Sequence, residues 1–240
     1  MLRFEMLEKR YGSKLIFSGL SHHFTVGCYA LQAPNGRGKS TLLSTLAGVV
    51  PADKGRVWIA DASLHTEPLR AKARLAYVPD ACPVYPFLTG REFLELVAST
   101  KQTQLSAASL ALITHFGLDP HLDVRFEQMS LGTKKKLMIA AASIGDPAVM
   151  IADEPGSAID DAARQVLIAY FRQAAKHSVV LFSTHDDVLA AACDAHIIGM
   201  PSDADPTRLQ TAGTLIAPAQ PQAPRANADR LRQHRERSGR

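Results

Sequence analysis

The chain has 240 residues, of which 46% are hydrophobic, 21% charged and 6% aromatic, proportions that are typical of a globular domain with one substantial core. The net charge is +4, but residues 225–240 carry six arginines against one aspartate and one glutamate, so the rest of the chain is neutral. This distribution argues against a basic nucleic-acid surface on the folded body, and we expect no nucleic-acid partner.

The sequence has no segment that predicts export or membrane insertion. The longest apolar runs, around 137–144 and 148–152, fall well short of the roughly 18 residues that cross a bilayer. The first ten residues alternate apolar with charged positions, unlike a secretory leader. The three cysteines lie far apart and are expected to be free thiols. A cytosolic protein is predicted.

The first part of the chain has the order strand, glycine-containing loop, helix. Short apolar runs within residues 2–31 predict strands joined by turns. Leucines and valine at helical spacing predict a helix over residues 39–49, which Gly48 and Pro51 end. Further short strands are predicted at 55–60 and 75–78.

The second part of the chain begins with a helical insert. Residues 90–145 are rich in leucine and alanine, which favours helices. Continuous apolar runs at 148–152 and 179–182 flank a predicted helix at 161–176, and such runs indicate strands covered on both faces of a parallel sheet. Residues 201–240 are rich in proline, alanine and arginine and are predicted to be a disordered tail.

Residues 33–41, Ala-Pro-Asn-Gly-Arg-Gly-Lys-Ser-Thr, match the phosphate-binding pattern G-x-x-x-x-G-K-[ST] except at Ala33, which is tolerable where its φ is negative. Backbone N–H groups of such a loop surround a phosphate, Lys39 supplies a cation and Ser40 ligates Mg²⁺. The alternative is a turn that binds nothing. The loop residues predicted to bind ATP are Asn35, Gly36, Arg37, Gly38, Lys39, Ser40 and Thr41.

Two carboxylates, Asp153 and Glu154, follow the apolar strand at 148–152. The carboxyl ends of such strands are where open α/β sheets bind ligands. Asp153 is expected to hold Mg²⁺ through water, and Glu154 to polarise the water that attacks the γ-phosphate. The alternative is a strand followed by an acidic turn. The acids and the phosphate loop together indicate a nucleoside triphosphatase.

Three further segments complete a family pattern: Tyr11, Met-Ser-Leu-Gly-Thr at 129–133 and Ser-Thr-His-Asp at 183–186. In this order, the motifs over residues 1–200 resemble the nucleotide-binding domain of ATP-binding cassette (ABC) transporters, in the P-loop NTPase superfamily. The resemblance implies an α/β fold: a P-loop core with a mostly parallel sheet flanked by helices, an N-terminal antiparallel β subdomain and an inserted helical subdomain at about 90–145.

The resemblance also implies residue roles. Tyr11 would stack on adenine, and His185 would act at the γ-phosphate with Glu154 and Lys39 as the catalytic residues. Ser130 and Gly132, before a helix expected at Lys134–Ile144, would contact the ATP of a second subunit. Residues 157–160 would form the loop through which two cassettes touch.

The chain departs from the family pattern at several positions. Asp80 stands where the family usually has glutamine; it can still ligate Mg²⁺, together with Ser40 and Asp153, while adding negative charge beside the phosphates. Leu131 and Thr133 replace a glycine and a glutamine of the signature, and Gly156 replaces a threonine. Because the side chains expected to bind the phosphates and to catalyse hydrolysis are retained, an active hydrolase is predicted.

The resemblance predicts an ATPase subunit with ATP and Mg²⁺ as cofactors, working as a homo- or heterodimer on the cytoplasmic face of the membrane. A separate integral-membrane permease would dock on the helical insert and Asp80, and the segment from Tyr85 to Glu92 resembles exporter-type, ABC-2-like cassettes. Lysines 134–136 are predicted to form a solvated helix face. A soluble cassette that acts on DNA or ribosomes, and a non-hydrolysing regulatory subunit, are the alternatives.

Overall fold

A computed structural model describes residues 1–201, 207 and 209–211. Its first sheet is antiparallel, with strand order β2-β1-β4-β5. The strands are β1 (Leu2–Tyr11), β2 (Lys14–Phe24), β4 (Lys54–Ile59) and β5 (Ala62–Ser63). Gly12 has φ 58° in the tight turn between β1 and β2, a backbone conformation that glycine adopts without strain. The expected antiparallel N-terminal sheet is confirmed.

The second sheet has six strands in the order β10-β9-β3-β8-β7-β6. All neighbours are parallel except β10, which is antiparallel to β9. The strands are β3 (Gly27–Gln32), β6 (Leu75–Val78), β7 (Val149–Ala152), β8 (Val179–Ser183), β9 (His196–Gly199) and β10 (Gln210–Thr211). Every residue of β7 and β8 is buried, as continuous apolar runs predict.

The helices cover both faces of this sheet. They are α1 (Lys39–Leu46), α2 (Pro68–Ala73), α3 (Gly90–Thr100), α4 (Ala107–His115), α5 (Leu131–Ala142), α6 (Asp161–Ala174) and α7 (Asp187–Ala192). Two short 3-10 turns lie at Asp119–His121 and Phe126–Gln128. The insert predicted at 90–145 contains α3, α4 and α5. The P-loop type of α/β fold is confirmed.

The parallel sheet separates two apolar clusters. On one face, Leu31, Val179 and Leu181 join α1 and the antiparallel sheet. On the other face, Val180 and Phe182 pack with the helices of the insert and α6. Because alternate residues of β8 enter opposite clusters, the strand is covered twice, and its carboxyl end is held in a fixed position against β3 and β7.

Side-chain caps explain where the helices begin. Thr89 and Glu92 form a reciprocal capping box at the start of α3. Ser130 accepts a hydrogen bond from the backbone of Thr133, so α5 begins at Leu131, three residues before the predicted helix at Lys134–Ile144. The sequence analysis also missed α2, α7 and β9, which are short elements of four to six residues.

Cys28, Cys82 and Cys193 are free, as predicted. Within the described residues, no helix is both long and apolar enough to cross a membrane. The disorder predicted for the tail at 201–240 lies almost wholly outside the described residues, which include Pro201, Thr207 and 209–211 of this segment.

Candidate nucleotide-binding site

The phosphate-binding loop joins the carboxyl end of β3 to the start of α1. Gly36 and Gly38 have φ values of 77° and 89°, and a Cβ at Gly38 would lie 2.5 Å from Ile16 Cγ2. Glycine is therefore required at position 38 both for conformation and for space. Ala33, which replaces the first glycine of the pattern, is not among the positive-φ residues, so alanine fits there without strain.

Lys39 is held inside the loop although it carries a charge. Its side chain is almost fully buried, and its Nζ donates a 2.6 Å hydrogen bond to the carbonyl of Ala33. Nζ also lies 2.9 Å from Nε2 of His185, which follows β8. These contacts bring together two of the three predicted catalytic groups, from positions 146 residues apart.

The acids at the end of β7 are held in place by β8 and β6. Asp153 is 3% exposed, and its Oδ1 accepts a 2.5 Å hydrogen bond from the hydroxyl of Ser183. The same hydroxyl accepts a 2.9 Å hydrogen bond from the backbone N–H of Glu154, while the N–H of Asp153 donates to the carbonyl of Val78. Ser183 thus orients both acids. Sequence reasoning missed it, although a hydroxyl at a strand end is the signal.

Glu154 has a conformation that its surroundings impose. Its φ is 45°, in the left-handed region that is unfavourable for a residue with a Cβ. Such a conformation costs roughly 1–3 kcal/mol and persists only where the neighbouring structure fixes the backbone. Here the hydrogen bond from the N–H of Glu154 to Ser183 fixes it. The pKa of Glu154 is raised chiefly by burial; His185 and Lys39 partly oppose this shift, and Asp153 and Asp80 add to it.

One carboxylate oxygen of Glu154 is left without a partner. Oε1 is the buried side-chain polar atom, among the described residues, that makes no hydrogen bond. His185 Nε2 lies 3.5 Å away, which would count as an ion pair only for a protonated imidazole. Nε2 also lies 2.9 Å from Nζ of Lys39, and it makes no hydrogen bond to Oε1. Oε1 is therefore available as a proton acceptor.

A cleft of about 470 Å³ brings most of the predicted residues together. This volume is within the range of ligand pockets. Its predicted members are Tyr11, Asn35, Gly36, Gly38, Lys39, Ser40, Thr41, Asp80, Glu154 and His185. Lys14 and Ile16 of β2 also line it, and sequence reasoning did not select them. Arg37 and Asp153 are not among the lining residues, since Arg37 is exposed on the loop and Asp153 lies beneath the surface.

Ser130 and Gly132 lie apart from this cleft, at the start of α5. The hydroxyl of Ser130 caps the helix and contacts the hydroxyl of Thr133 at 2.9 Å. A Cβ on Gly132 would lie 2.5 Å from the carbonyl oxygen of Ala158, so glycine allows α5 to touch the loop at 157–160. Within one chain, Ser130 and Gly132 do not line the cleft with the phosphate loop. A role in binding the ATP of a second subunit requires this separation.

The predicted solvated face at lysines 134–136 is wrong for one of the three residues. Lys135 is completely buried, whereas Lys134 and Lys136 are partly exposed. Nζ of Lys135 donates to the carbonyl of Asp80 at 2.8 Å and to its carboxylate Oδ1 at 3.2 Å. The alternation of buried and exposed positions along α5 could not be inferred from three identical residues in a row.

The donor set of the cleft suits Mg²⁺. Ser40 supplies a hydroxyl and Asp80 and Glu154 supply carboxylates to the cleft, with Asp153 buried beneath it. In the part of the chain that is described, no group of three or more histidine, cysteine or acidic residues is arranged as a complete metal cage. Mg²⁺ is usually held by one or two protein oxygens with water and substrate phosphates supplying the rest, and dedicated protein cages are uncommon. The orphaned oxygen of Glu154 marks the same polar region.

A glycine-containing loop at a helix start, two acids at the carboxyl end of β7 and a parallel sheet define a nucleoside-triphosphate-binding domain of the P-loop type. The chain belongs to the ABC transporter family, whose sequence model matches residues 25–157.

Among its relatives are export and resistance proteins. The chain is 35% identical over 188 residues to the Nod factor export ATP-binding protein I of Burkholderia orbicola, an alignment that covers 76% of this chain and 62% of the relative. It is 30% identical over 190 residues to the linearmycin resistance ATP-binding protein of Bacillus subtilis, with 77% and 61% covered. The chain therefore spans about three fifths of the length of these relatives.

Solved structures share the fold. The ATP-binding subunit of an ABC transporter matches with a TM-score of 0.76 and 28% identity over 90% of each chain. A dimeric ATP-binding cassette in a post-hydrolysis state, bound to ADP and Pi, also has a TM-score of 0.76, with 18% identity over 89% of this chain and 99% of that one. At that identity the second likeness concerns the fold alone.

Proposed function

We propose that this chain is the ATP-binding and ATP-hydrolysing subunit of an ABC transporter that powers a separate membrane permease. The observation that carries the proposal is the unpartnered Oε1 of Glu154, which lines the same cleft as the phosphate-binding loop and Lys39. A carboxylate without a hydrogen-bond donor, beside a loop that binds phosphate, is positioned to accept a proton from an attacking water.

Nucleotide binding follows from the loop and α1. The triphosphate would lie against the backbone N–H groups of 36–41 at the positive end of α1, with Lys39 moving from the Ala33 carbonyl to the phosphate oxygens. Tyr11 is 52% exposed at the rim of the cleft, where a ring can stack on a base. Ser40 and Asp153 would hold Mg²⁺, which neutralises charge on the phosphates during transfer.

Hydrolysis would use groups on β7 and β8. Glu154 accepts a proton as water attacks the γ-phosphate, and its raised pKa makes it a better base than an ordinary carboxylate. His185 and Lys39, now 2.9 Å apart, would meet the charge that develops on the transferred group. Ser183 keeps the backbone of Glu154 in its strained conformation.

A second cassette, identical or related, would complete the site. Ser130 and Gly132 point to this requirement because they lie outside their own cleft, at the start of a helix whose N–H groups can bind an anion. Their rigid contact with the loop at 157–160 joins the two segments that would face the second cassette. ATP would therefore be held between two chains and would promote their association.

The permease would dock near Asp80 on the side of the helical insert. Tyr85 and Phe87 are 66% and 60% exposed, and their rings stack with centroids 5.5 Å apart. Exposed aromatic residues of this kind mark protein interaction sites. The name of the Burkholderia orbicola relative, a Nod factor export ATP-binding protein, supports a role in export. This subunit would then lie on the cytoplasmic face of the membrane.

ATP binding by the purified chain tests the proposal directly. ATP at a hundred times its Kd should raise Tm by roughly 5–10 °C, and Lys39→Ala should abolish the shift because the cation is lost. Lys176→Ala, at an exposed lysine just beyond the end of α6, is the matched control and should keep the full shift. Absence of any shift in the parent protein would refute nucleotide binding; binding without phosphate release, even with the permease, would indicate a regulatory cassette.

A further inference from the structure

Lys135 is a fully buried cation in the centre of α5, with 0% of its surface exposed. Its Nζ donates to the carbonyl of Asp80 at 2.8 Å, to the carbonyl of Pro79 at 3.4 Å and to Oδ1 of Asp80 at 3.2 Å. A buried ammonium is costly unless it is paired and its three N–H donors are satisfied. All three donors have an acceptor within residues 79–80, which follow β6.

Asp80 is in turn held from two sides. Oδ1 accepts from Lys135 and also from the hydroxyl of Ser157 at 3.3 Å, in the loop after Glu154. Asp80 is the sequence-predicted metal ligand that replaces glutamine in the family pattern, and it lines the cleft with Ser40 and Glu154. One of its carboxylate oxygens is therefore already committed to a lysine that lies outside the cleft.

The neighbouring lysines show that this arrangement is specific to one position. Lys134 makes no hydrogen bond or ion pair among the described residues, and Lys136 contacts Asp160 at 3.4 Å with a partly exposed side chain. Among the described contacts of the three lysines, only those of the middle one, Lys135, reach residues 79–80 beside the cleft. Its burial places a positive charge directly behind Asp80.

We propose that Lys135 is a positioning residue for the ATPase reaction: it pairs with Asp80, withholds that carboxylate from Mg²⁺ and joins the loop beside the cleft to the helix that begins at Ser130. This inference rests on the proposed function for its effect on turnover. Mg²⁺ is then left to Ser40 and Asp153, and Asp80 connects α5 with the loop at 157–160.

The experiment is a double-mutant cycle on the full chain without nucleotide, with Lys135→Met, Asp80→Asn and the double variant. Lys135→Met should lower Tm by about 5–10 °C because two carbonyls and a carboxylate lose their donor, and Asp80→Asn by about 2–5 °C. The Tm of the double variant should be at most about 2 °C below that of Lys135→Met, because the Asp80→Asn change removes a partner that Lys135→Met has already lost. Lys134→Met, the matched control on the same helix, should leave Tm unchanged.

Kinetics of the same variants separate positioning from metal binding. Lys135→Met should lower kcat at least about tenfold with the Kd for ATP within about twofold, because the loop beside the cleft is displaced while the phosphate loop is intact. Half-saturating Mg²⁺ should stay within about twofold in Asp80→Asn, because that carboxylate is not a metal ligand in the parent protein. Where Lys135→Met fails to fold, Lys135→Gln, which keeps two N–H donors but no charge, takes its place in the cycle.

Two results would overturn the proposal. Additive losses of Tm would mean that Lys135 and Asp80 do not act as a pair. A rise of tenfold or more in half-saturating Mg²⁺ for Asp80→Asn, without one for Lys135→Met, would assign Asp80 to the metal. Failure of the parent protein to bind ATP would contradict the proposed function instead, and the stability cycle would still decide whether the pair exists.

Discussion

The hydroxyl of Ser183 donates a 2.5 Å hydrogen bond to the carboxylate of Asp153, at the adjoining ends of two parallel strands. The acceptor is 97% buried, since only 3% of Asp153 is exposed. The same oxygen of Ser183 accepts from the N–H of Glu154, so one side chain satisfies polar groups on both acids. Two consequences for stability and turnover follow from this bridge.

Ser183→Ala should destabilise the fold and slow the proposed reaction. The change leaves a buried carboxylate and a buried N–H without their partner, at a cost of about 1–3 kcal/mol for each group. Urea unfolding measures the loss, and steady-state phosphate release measures the turnover. Ser99→Ala, on the exposed side of α3, is the control and should change neither. Equal stability of Ser183→Ala and the parent would show that water replaces the hydroxyl.

Glu154→Gln should lower ATP turnover by about 10²–10⁴, as expected for loss of a general base, while ATP binding is retained. The amide keeps the shape of the side chain but cannot accept the proton from water. Phosphate release and fluorescence of a labelled nucleotide provide the two measurements. Glu95→Gln, an exposed glutamate on α3, is the matched control. Undiminished turnover in Glu154→Gln would remove this residue from the role.

The stability of the Glu154→Gln variant should depend on pH in a predictable direction. Burial raises the pKa of Glu154 above its ordinary value of 4.5, so the folded state binds a proton more tightly than the unfolded state. This contribution is fully present below pH 4.5 and is lost as pH rises through the folded-state pKa. Relative to the parent, the variant should therefore gain stability as pH rises from about 4.5 to neutrality.

Thermal unfolding of both proteins in a common buffer series checks the pH prediction. The difference in Tm between variant and parent should increase with pH and level off once Glu154 is ionised in the folded state. A difference that stays constant from pH 4 to 8 would mean that the carboxylate has the same pKa in both states. Glu95→Gln again serves as the control, because that side chain is exposed.

Gly132→Ala should destabilise the start of α5. A Cβ at this position would lie 2.5 Å from the carbonyl oxygen of Ala158, so the helix and the loop at 157–160 must separate. Steric changes of this kind cost about 1–3 kcal/mol. Leu131→Ala, at the adjacent and 55% exposed position, should cost less than about 0.5 kcal/mol. Urea unfolding of the two variants side by side makes the comparison, and equal losses would contradict the close contact.

Local patterns in the sequence were enough to predict the main strands, the phosphate loop and the acids. Continuous apolar runs located β7 and β8, and a glycine-lysine-serine motif located the start of α1, because these signals are confined to a few neighbouring residues. The roles assigned to Glu154, His185 and the remaining site residues stay predictions. Their placement around one cleft is what the structure contributes.

Contacts between distant segments could not be predicted in the same way. Ser183 and Asp153 are 30 residues apart, and Lys135 and Asp80 are 55 apart; each pair meets only because of strand order and helix rotation. The rotation of α5 depends on its true start at Leu131, which the cap Ser130 fixes. A run of three lysines carries no periodicity that would reveal which of them faces inward.

The position of β3 between β9 and β8 has a consequence for biosynthesis. The strand that leads into the phosphate loop is made early, yet its two neighbours in the sheet, Val179–Ser183 and His196–Gly199, are translated about 150 residues later. A nascent polypeptide that has emerged only as far as α6 would present the loop without the strand that carries His185 beside it. The nascent chain should therefore gain its affinity for nucleotide late in synthesis, once β8 and β9 have been made and can pair with β3.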